Sequence, residues 1–374
     1  MAAGTECSQQ YLNEFHSTAV QQKLTRINGT MSQFNMIPTL RANISCKFTS
    51  VFLKLSHMSI ALAAPTHIRI ASRESRLAMA QSEWIQAQLL RLYPACSVEI
   101  IGMTTRGDQI LDKPLALIGG KGLFIKELEV ALEEDRADIA VHSMKDVPMT
   151  LPTGFAMAIV GARENICDAL VSNRYAALAD LPDGAVVGTS SLRRESQLRY
   201  HFPHLKIQPL RGNVNTRLKK LDDGEFDAII LAAAGLNRLG IGERIRVALN
   251  PDEFIPAIAQ GALGIEYRAD RPDFQRWLAP FEQADTTAMV RAERSLGRAL
   301  TGSCDVPLGG RAHMHDSRLV LEGFVALPDG SRLVRDSIEG APEDCEYLGT
   351  ALAQKLIAQG AGEILAALNH HPKS

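Results

Sequence analysis

From residue 67 onward, the hydrophobic positions follow two alternating periods, which predict strands and helices in turn. Ile68-Arg69-Ile70-Ala71 alternates as a half-buried strand does, and Arg76 to Leu92 has the spacing of an amphipathic helix. Val98 to Ile101 and Asp138 to Val141 are predicted as further strands, with a helical stripe from Leu123 to Leu132 between them. Strands that alternate with helices indicate βαβ units and a mostly parallel sheet.

A second block of the same kind begins near Asp168. Its predicted strands are residues 185–188, 207–210 and 227–231, and its predicted helices are residues 192–200 and 214–221. Both blocks contain the order strand, serine, arginine, helix, but this resemblance is too short to establish a duplication.

The last block, from Ala284, has a different pattern. A helix is predicted over residues 288–300 and a loop over 302–310. Two alternating runs, 319–326 and 331–335, predict a hairpin that turns at Pro328-Asp329-Gly330. A helix over 347–359 and a further turn over 363–369 close the chain, so this block is expected to be a small α+β domain.

Residues 1–65 show no sustained period. No acidic residue occurs between Glu14 and Glu74, and Ser, Thr and Asn are frequent. Acid-poor, Ser-rich leaders resemble organelle transit peptides. Because arginine is sparse here, we favour an extension without a role, with Met58 as an alternative start. We expect the segment to be largely disordered and the protein to be cytoplasmic, with organelle import as the alternative.

Composition limits the functional class. A chain of 374 residues, 46% hydrophobic, is long enough for two or three domains with full cores. A net charge of -2 disfavours generic nucleic-acid binding, which needs a broad basic field. No apolar run reaches the roughly 18 residues of a membrane helix. The six cysteines form no Cys-x-x-Cys pair, and their spacing fits neither a zinc site nor a disulfide framework.

Four arginines near the starts of predicted helices are the main chemical signal: Arg193, Arg194, Arg211 and Arg217. Helix N-termini and guanidinium groups both favour carboxylates and phosphates. A single arginine is more often solvated or paired with a surface carboxylate, but this placement repeats. Ligands of open α/β sheets bind beyond the carboxyl ends of the strands. The side chains expected to converge there, around a small polyanionic ligand, are Arg73, Ser75, Lys145, Asp146, Ser190, Arg193, Arg194, Arg211 and Arg217.

The glycine-rich run Gly119-Gly120-Lys121-Gly122 suggests a phosphate loop but lacks the required upstream glycine and the Ser or Thr after the lysine. It is either a flexible loop that brings Lys121 to a ligand or a plain turn and helix cap.

Asp146 follows a predicted strand and precedes Pro148, so it cannot continue a regular helix. A carboxylate among cations stays ionised, accepts ligand N–H groups and stabilises a developing cation; an Asx turn is the alternative. His142 has apolar neighbours and is interpreted as a packed histidine rather than a base.

Cys304 lies in Gly302-Ser303-Cys304-Asp305-Val306-Pro307, a turn-rich loop. A lone cysteine is usually a small buried hydrophobe. In such a loop an accessible nucleophile or attachment site is at least as plausible an interpretation.

Five motifs together resemble the porphobilinogen deaminase (hydroxymethylbilane synthase) family, from about His67 to the C-terminus. They are Gly119 to Phe124, Ala140 to Pro148, Gly188 to Arg194, Leu210 to Asn213, and Gly302-Ser303-Cys304.

The resemblance implies an α/β fold: two lobes like those of periplasmic binding proteins, with mostly parallel, doubly wound sheets, and a small C-terminal α+β domain. The implied boundaries are residues 66–162 with 260–280 for domain 1, 163–259 for domain 2 and 284–374 for domain 3.

The resemblance also implies a transferase of haem and other tetrapyrrole biosynthesis. Such an enzyme condenses four porphobilinogen molecules head to tail, with loss of ammonia, and releases hydroxymethylbilane. The chain grows on one dipyrromethane, which is bound to Cys304 through a thioether. No metal is implied, and a monomer is expected.

By motif position, Asp146 is implied as the catalytic carboxylate. Implied cofactor contacts are Asp146, Lys145, Thr189, Ser190, Ser191, Arg193, Arg194, Gly212 and Arg217. Implied substrate contacts are Arg73, Ser75, Lys121, Arg211 and Arg217.

Two other functional classes explain the arginines. A non-catalytic, two-lobe protein that binds an organic anion leaves Cys304 unexplained and usually needs a secretion signal, which is not found. A phosphate-handling transferase is weakened by the failed loop motif.

Overall fold

The structure, a computed structural model, describes residues 63–109, 120–301 and 306–370. The predicted N-terminal extension therefore falls almost entirely outside the described residues, and so does Cys304.

The strands are numbered in chain order. They are β1 (His67–Arg73), β2 (Ser97–Met103), β3 (Ile139–Ser143), β4 (Phe155–Val160), β5 (Asp168–Val171), β6 (Val186–Gly188), β7 (Lys206–Gln208), β8 (Ala228–Ala232), β9 (Val247–Ala248), β10 (Leu263–Arg268), β11 (Leu308–His315), β12 (Arg318–Ala326) and β13 (Leu333–Gly340).

The helices of the described part are numbered in the same way. They are α1 (Arg76–Leu92), α2 (Arg106–Gln109), α3 (Lys126–Glu133), α4 (Leu192–His201), α5 (Val214–Asp222), α6 (Ala233–Arg238), α7 (Pro272–Leu278), α8 (Ala284–Thr301), α9 (Cys345–Leu356) and α10 (Gly362–His370).

Two five-stranded sheets form the α/β lobes. The first has the order β2-β1-β3-β10-β4 and the second the order β7-β6-β8-β5-β9. In the first sheet only β10 runs against the other strands, and in the second only β5 does. Both sheets are therefore mostly parallel, with one reversed strand in the same place.

Apolar residues that alternate along the strands form the core of the first lobe. Ile68 and Ile70 of β1 pack with Ile139 of β3, and α1 contributes Ile85 and Leu89 to the same cluster. Burial of these side chains is the main force that holds helix to sheet.

A three-stranded antiparallel sheet, β11-β12-β13, forms the C-terminal region together with α8 and α9. The predicted hairpin is present, and its turn is closed by a bond from the Leu327 amide to the Arg332 carbonyl at 2.9 Å. The fold class is thus confirmed: two mostly parallel α/β lobes and a small α+β region.

One predicted loop is wrong in part, because Leu308 to Gly310 belong to β11. A Cβ atom on Gly309 would lie 2.6 Å from the ring of Phe324 and 2.7 Å from the carbonyl oxygen of Pro256. The glycine that suggested a turn in the sequence is instead needed for close packing within the sheet.

The chain passes between the two α/β sheets twice, over residues 161–167 and 249–262. The Glu164 amide donates to the Gly261 carbonyl at 3.0 Å, which joins the two crossovers. Gly261 has φ +88°, and a Cβ atom there would lie 2.3 Å from the Glu164 oxygen. Only glycine fits both the backbone conformation and this close approach.

Candidate active site

The candidate residues lie where parallel strands end, in both α/β sheets. β1 ends at Arg73, and β3 ends at Ser143, just before the 3-10 turn Met144–Asp146. β6 ends at Gly188 and β7 at Gln208, shortly before Arg211. This is the edge at which open α/β sheets bind ligands.

Lys145 and Asp146 lie in the turn after β3. Both side chains are half-buried. The pKa of Lys145 is lowered to about 8, chiefly by burial; Arg194 and Arg193 also lower it, while Asp146 and Asp168 raise it. Lys145 therefore interacts electrostatically with charged side chains of both lobes: Asp146 of the first, and Asp168, Arg193 and Arg194 of the second.

Arg217 is under the same influences. The pKa of Arg217 is lowered to about 10, chiefly by burial; Arg194 and Arg211 also lower it, while Asp146 raises it. We call the mutually interacting set the cleft cluster: Lys145, Asp146, Asp168, Arg193, Arg194, Arg211 and Arg217. It contains five cationic side chains and two carboxylates, so it has an excess of positive charge.

Arg193 and Arg194 are both buried, and both are paired with Asp168. Arg193 donates to the two Asp168 oxygens at 2.7 and 3.1 Å, and Arg194 donates twice to Oδ1, at 3.0 and 2.8 Å. Burial would raise the pKa of Asp168, but the two guanidinium groups hold it well below its usual range. A buried charge needs such a partner.

Gln260 connects this ion pair to Lys145. The Lys145 Nζ atom donates to Gln260 Oε1 at 3.4 Å. The Gln260 amide nitrogen donates to Asp168 Oδ1 at 3.0 Å and to the Ile166 carbonyl at 2.7 Å. Since Gln260 lies on the second crossover, it joins the end of β3 to the start of β5. Sequence reasoning missed both Asp168 and Gln260; an acidic residue beginning an apolar strand was the available signal for Asp168.

Two hydroxyl groups before α4, those of Thr189 and Ser190, form hydrogen bonds within the protein. Ser190 Oγ donates to the Leu210 carbonyl and accepts from the Leu210 amide, both at 3.0 Å. Thr189 Oγ1 accepts from the Ser191 amide at 3.1 Å. The two Ser190 bonds fix the loops that follow β6 and β7 against each other.

The start of α5 depends on a glycine. Gly212 has φ +108°, and a Cβ atom there would lie 2.7 Å from Thr216 Cγ2. Asn213 caps the helix by accepting from the Thr216 amide at 3.0 Å. The Gly212 carbonyl accepts from Arg217 Nε at 2.7 Å, which fixes the guanidinium at the helix N-terminus.

Arg73 and Ser75 lie at the corresponding edge of the first sheet, since β1 neighbours β3. The guanidinium carbon of Arg73 lies 4.3 Å from the centre of the Phe124 ring. Ser75 caps α1 by accepting from the Ala78 amide at 3.4 Å. Lys121 belongs to the 3-10 helix Gly120–Phe124, but its side chain, like Cys304, lies outside the described residues.

His142 is a packed residue, as expected. Its Nε2 atom lies 2.8 Å from Glu266 Oε2, and both side chains are buried near Glu129 of α3. In the described ranges, no group of three or more His, Cys, Asp or Glu side chains could hold a metal ion. Nor does any helix there have the length and apolarity to cross a membrane.

Two family models match this chain. One, described as porphobilinogen deaminase, dipyromethane cofactor binding domain, matches residues 68–276 and so covers both α/β sheets. The other, described as porphobilinogen deaminase, C-terminal domain, matches residues 287–358.

Similar curated proteins carry the same description. Porphobilinogen deaminase of Thiobacillus denitrificans is 62% identical over 301 residues, covering 80% of this chain and 98% of the relative. That of Chromobacterium violaceum is 62% identical over 306 residues, covering 82% and 99%. Among solved structures, the periplasmic aliphatic sulphonate binding protein SsuA from Escherichia coli matches at a TM-score of 0.36 and 16% identity, covering 82% of this chain and 80% of SsuA. On the two family models and these relatives, the chain belongs to the porphobilinogen deaminase family.

Proposed function

We propose that this chain condenses four porphobilinogen molecules head to tail and releases hydroxymethylbilane, as a transferase that acts as a monomer in the cytoplasm. Its dipyrromethane is held by a thioether to Cys304. The single observation that carries the proposal is the cleft cluster, in which cations from both sheets meet a half-buried carboxylate.

The residues present fit a dipyrromethane with its growing chain. Each pyrrole carries an acetate and a propionate, so the ligand brings several carboxylates. Five cations with two carboxylates leave positive charge for such a ligand to neutralise. Burial lowers the pKa values of Lys145 and Arg217, and bound carboxylates would restore them. When bound, the dipyrromethane supplies the pyrrole carbon to which the first substrate is joined.

The residues of the site have three different roles towards the ligand. Lys145, Arg211 and Arg217 bind carboxylates at the cleft, with Arg73 and Ser75 at the neighbouring edge and Lys121 on the glycine-rich run. Arg193 and Arg194 supply positive potential from a site fixed by Asp168. Thr189, Ser190, Ser191 and Gly212 shape the loops that face the ligand.

Asp146 acts on the reacting substrate. Each condensation breaks the C–N bond of one porphobilinogen aminomethyl group, forms one C–C bond and releases one ammonia. As ammonia leaves, positive charge develops on the substrate's methylene pyrrole. The Asp146 carboxylate accepts the pyrrole N–H and stabilises that charge, then assists proton transfer. Water completes the release of the product.

Turnover tests the proposal against a protein that only binds an organic anion. Porphobilinogen should disappear, as followed with an aldehyde reagent for pyrroles, with one ammonia released per molecule consumed. The product mass should equal four porphobilinogens minus four ammonia plus one water. Binding of porphobilinogen without any consumption would instead identify a binding protein.

Lys145 should make porphobilinogen capture pH-dependent. Because its pKa is lowered to about 8, Lys145 is protonated below that pH and loses its positive charge above it. We expect kcat/KM for porphobilinogen to fall as the pH rises above about 8, or above a somewhat higher value where bound carboxylates raise the pKa. In Lys145→Arg the fall should begin only near pH 10, because arginine keeps its proton to a higher pH than lysine and the next group to lose its charge is Arg217, with a pKa of about 10.

Titration of the substrate affects the wild type and Lys145→Arg equally, so a difference between their pH profiles reports on the enzyme alone. Lys219→Gln, at an exposed lysine of α5, is the control and should keep the wild-type profile. Identical alkaline limbs in the wild type and Lys145→Arg would exclude Lys145 as the titrating group.

A further inference from the structure

Arg294, on α8, is buried and bonded to three consecutive main-chain carbonyls. Its Nη1 atom donates to Val147 O at 3.3 Å, and Nη2 donates to Pro148 O at 2.6 Å and to Met149 O at 3.1 Å. Only 7% of the residue is exposed. Within the described residues, these carbonyls are the acceptors of its hydrogen bonds.

This arrangement is costly for a charged group. Burial, together with the nearby Arg298, lowers the pKa of Arg294 to about 10, and no carboxylate among the described residues opposes this shift. A buried charge without a counterion is unfavourable unless its hydrogen bonds replace those of water. Three carbonyl dipoles provide that replacement, so the guanidinium and this segment depend on each other.

The segment held by Arg294 begins directly after Asp146. Helix or strand hydrogen bonds cannot hold this segment in place, because Pro148 has no backbone N–H and interrupts both kinds of pairing. The preceding 3-10 turn is closed by one long bond, from the Val147 amide to the Met144 carbonyl at 3.3 Å. The Arg294 guanidinium therefore holds residues 147–149 in place with hydrogen bonds that the backbone itself does not provide.

The helix that carries Arg294 is itself anchored. Glu293 forms a buried, bidentate pair with Arg163 at 2.6 and 2.9 Å and accepts from the amides of Ala259 and Ala312, each at 2.6 Å. One turn after Arg294, a Cβ atom on Gly297 would lie 2.9 Å from the Met149 sulfur. α8 ends at Thr301, three residues before Cys304 in the sequence.

We propose that Arg294 is a positioning residue, which fixes Asp146 relative to the helix that leads to the cofactor-bearing cysteine. It touches neither substrate nor cofactor and acts through the main chain of Val147, Pro148 and Met149. The proposal rests on the proposed function, in which Asp146 acts on the substrate.

Arg294→Gln tests this in the intact, cofactor-loaded enzyme. We expect kcat, per cofactor-loaded molecule, to fall about 10- to 100-fold, because small misplacements of a reacting group carry such losses. KM should change less than about threefold, and intact mass should still show one cofactor per chain. Amide exchange in a peptide covering residues 144–151 should become faster. Arg294→Lys should restore part of kcat, since an ammonium can reach only some of the three carbonyls.

Two variants keep the test decisive. Arg298→Gln, at an exposed position of the same helix, is the control and should keep wild-type kcat and exchange. If Arg294→Gln fails to fold, Arg294→Lys takes its place; because its ammonium reaches only some of the three carbonyls, kcat should still fall at nearly constant KM. Wild-type kcat per loaded molecule in Arg294→Gln, or in Arg294→Lys where it takes its place, would overturn the proposal. A wild type that carries no cofactor and releases no ammonia would instead refute the proposed function.

Discussion

Asp146→Asn is expected to leave a folded, cofactor-loaded protein whose kcat is lower by about 10²- to 10⁴-fold, the range for loss of a catalytic acid–base group. The amide has the shape of the carboxylate but no charge, so it cannot stabilise a cation on the substrate. The neighbouring cations make the change more severe, since Asp146 is one of only two carboxylates in the cleft cluster.

Steady-state ammonia release measures the effect, and intact mass confirms that the cofactor is retained. Asp183→Asn, at an exposed aspartate before β6, is the matched control and should keep full turnover. If Asp146→Asn retains more than about half of the wild-type kcat, Asp146 has no part in the reaction.

Cys304→Ser is expected to give a folded protein without covalent pigment and without measurable turnover. A thiolate is a far stronger nucleophile than a serine hydroxyl, so the attachment bond should not form. The loss should be complete, because the growing chain then has no anchor. Ammonia release and absorbance of the purified protein are the measurements.

Cys345→Ala controls for loss of a thiol in the same region. Cys345 is buried at the start of α9, where alanine fills nearly the same space and keeps the helix. This variant should retain both pigment and turnover. Full activity of Cys304→Ser would show that the cofactor is attached elsewhere or not needed.

Much of the fold was predictable because long amphipathic periods are local. α1 was predicted with its observed bounds, Arg76–Leu92, and the strands that lead into the site were found within a few residues. β4, β5, β9, β10 and β11 were not assigned. β10 is buried on both faces and pairs with β3 and β4, which are distant in sequence. Such pairing is set by tertiary packing rather than by a local signal.

In the site, only the positions that follow from the ends of the strands could be predicted from the sequence. Arg193, Arg194, Arg211 and Arg217 lie near strand ends and helix starts, as expected, because that placement follows from the order of elements. The pairing of Arg193 and Arg194 with Asp168 was not predictable, since Asp168 begins a strand on another part of the sheet. The three carbonyls bound by Arg294 are likewise main-chain groups, which leave no mark in a sequence.

The most direct measurement is the intact mass of the purified, full-length wild type beside that of Cys304→Ser. The account predicts that the wild type exceeds the mass of its own polypeptide by two pyrrole units and that the variant does not. A wild type of unmodified mass that nevertheless converts porphobilinogen would contradict it.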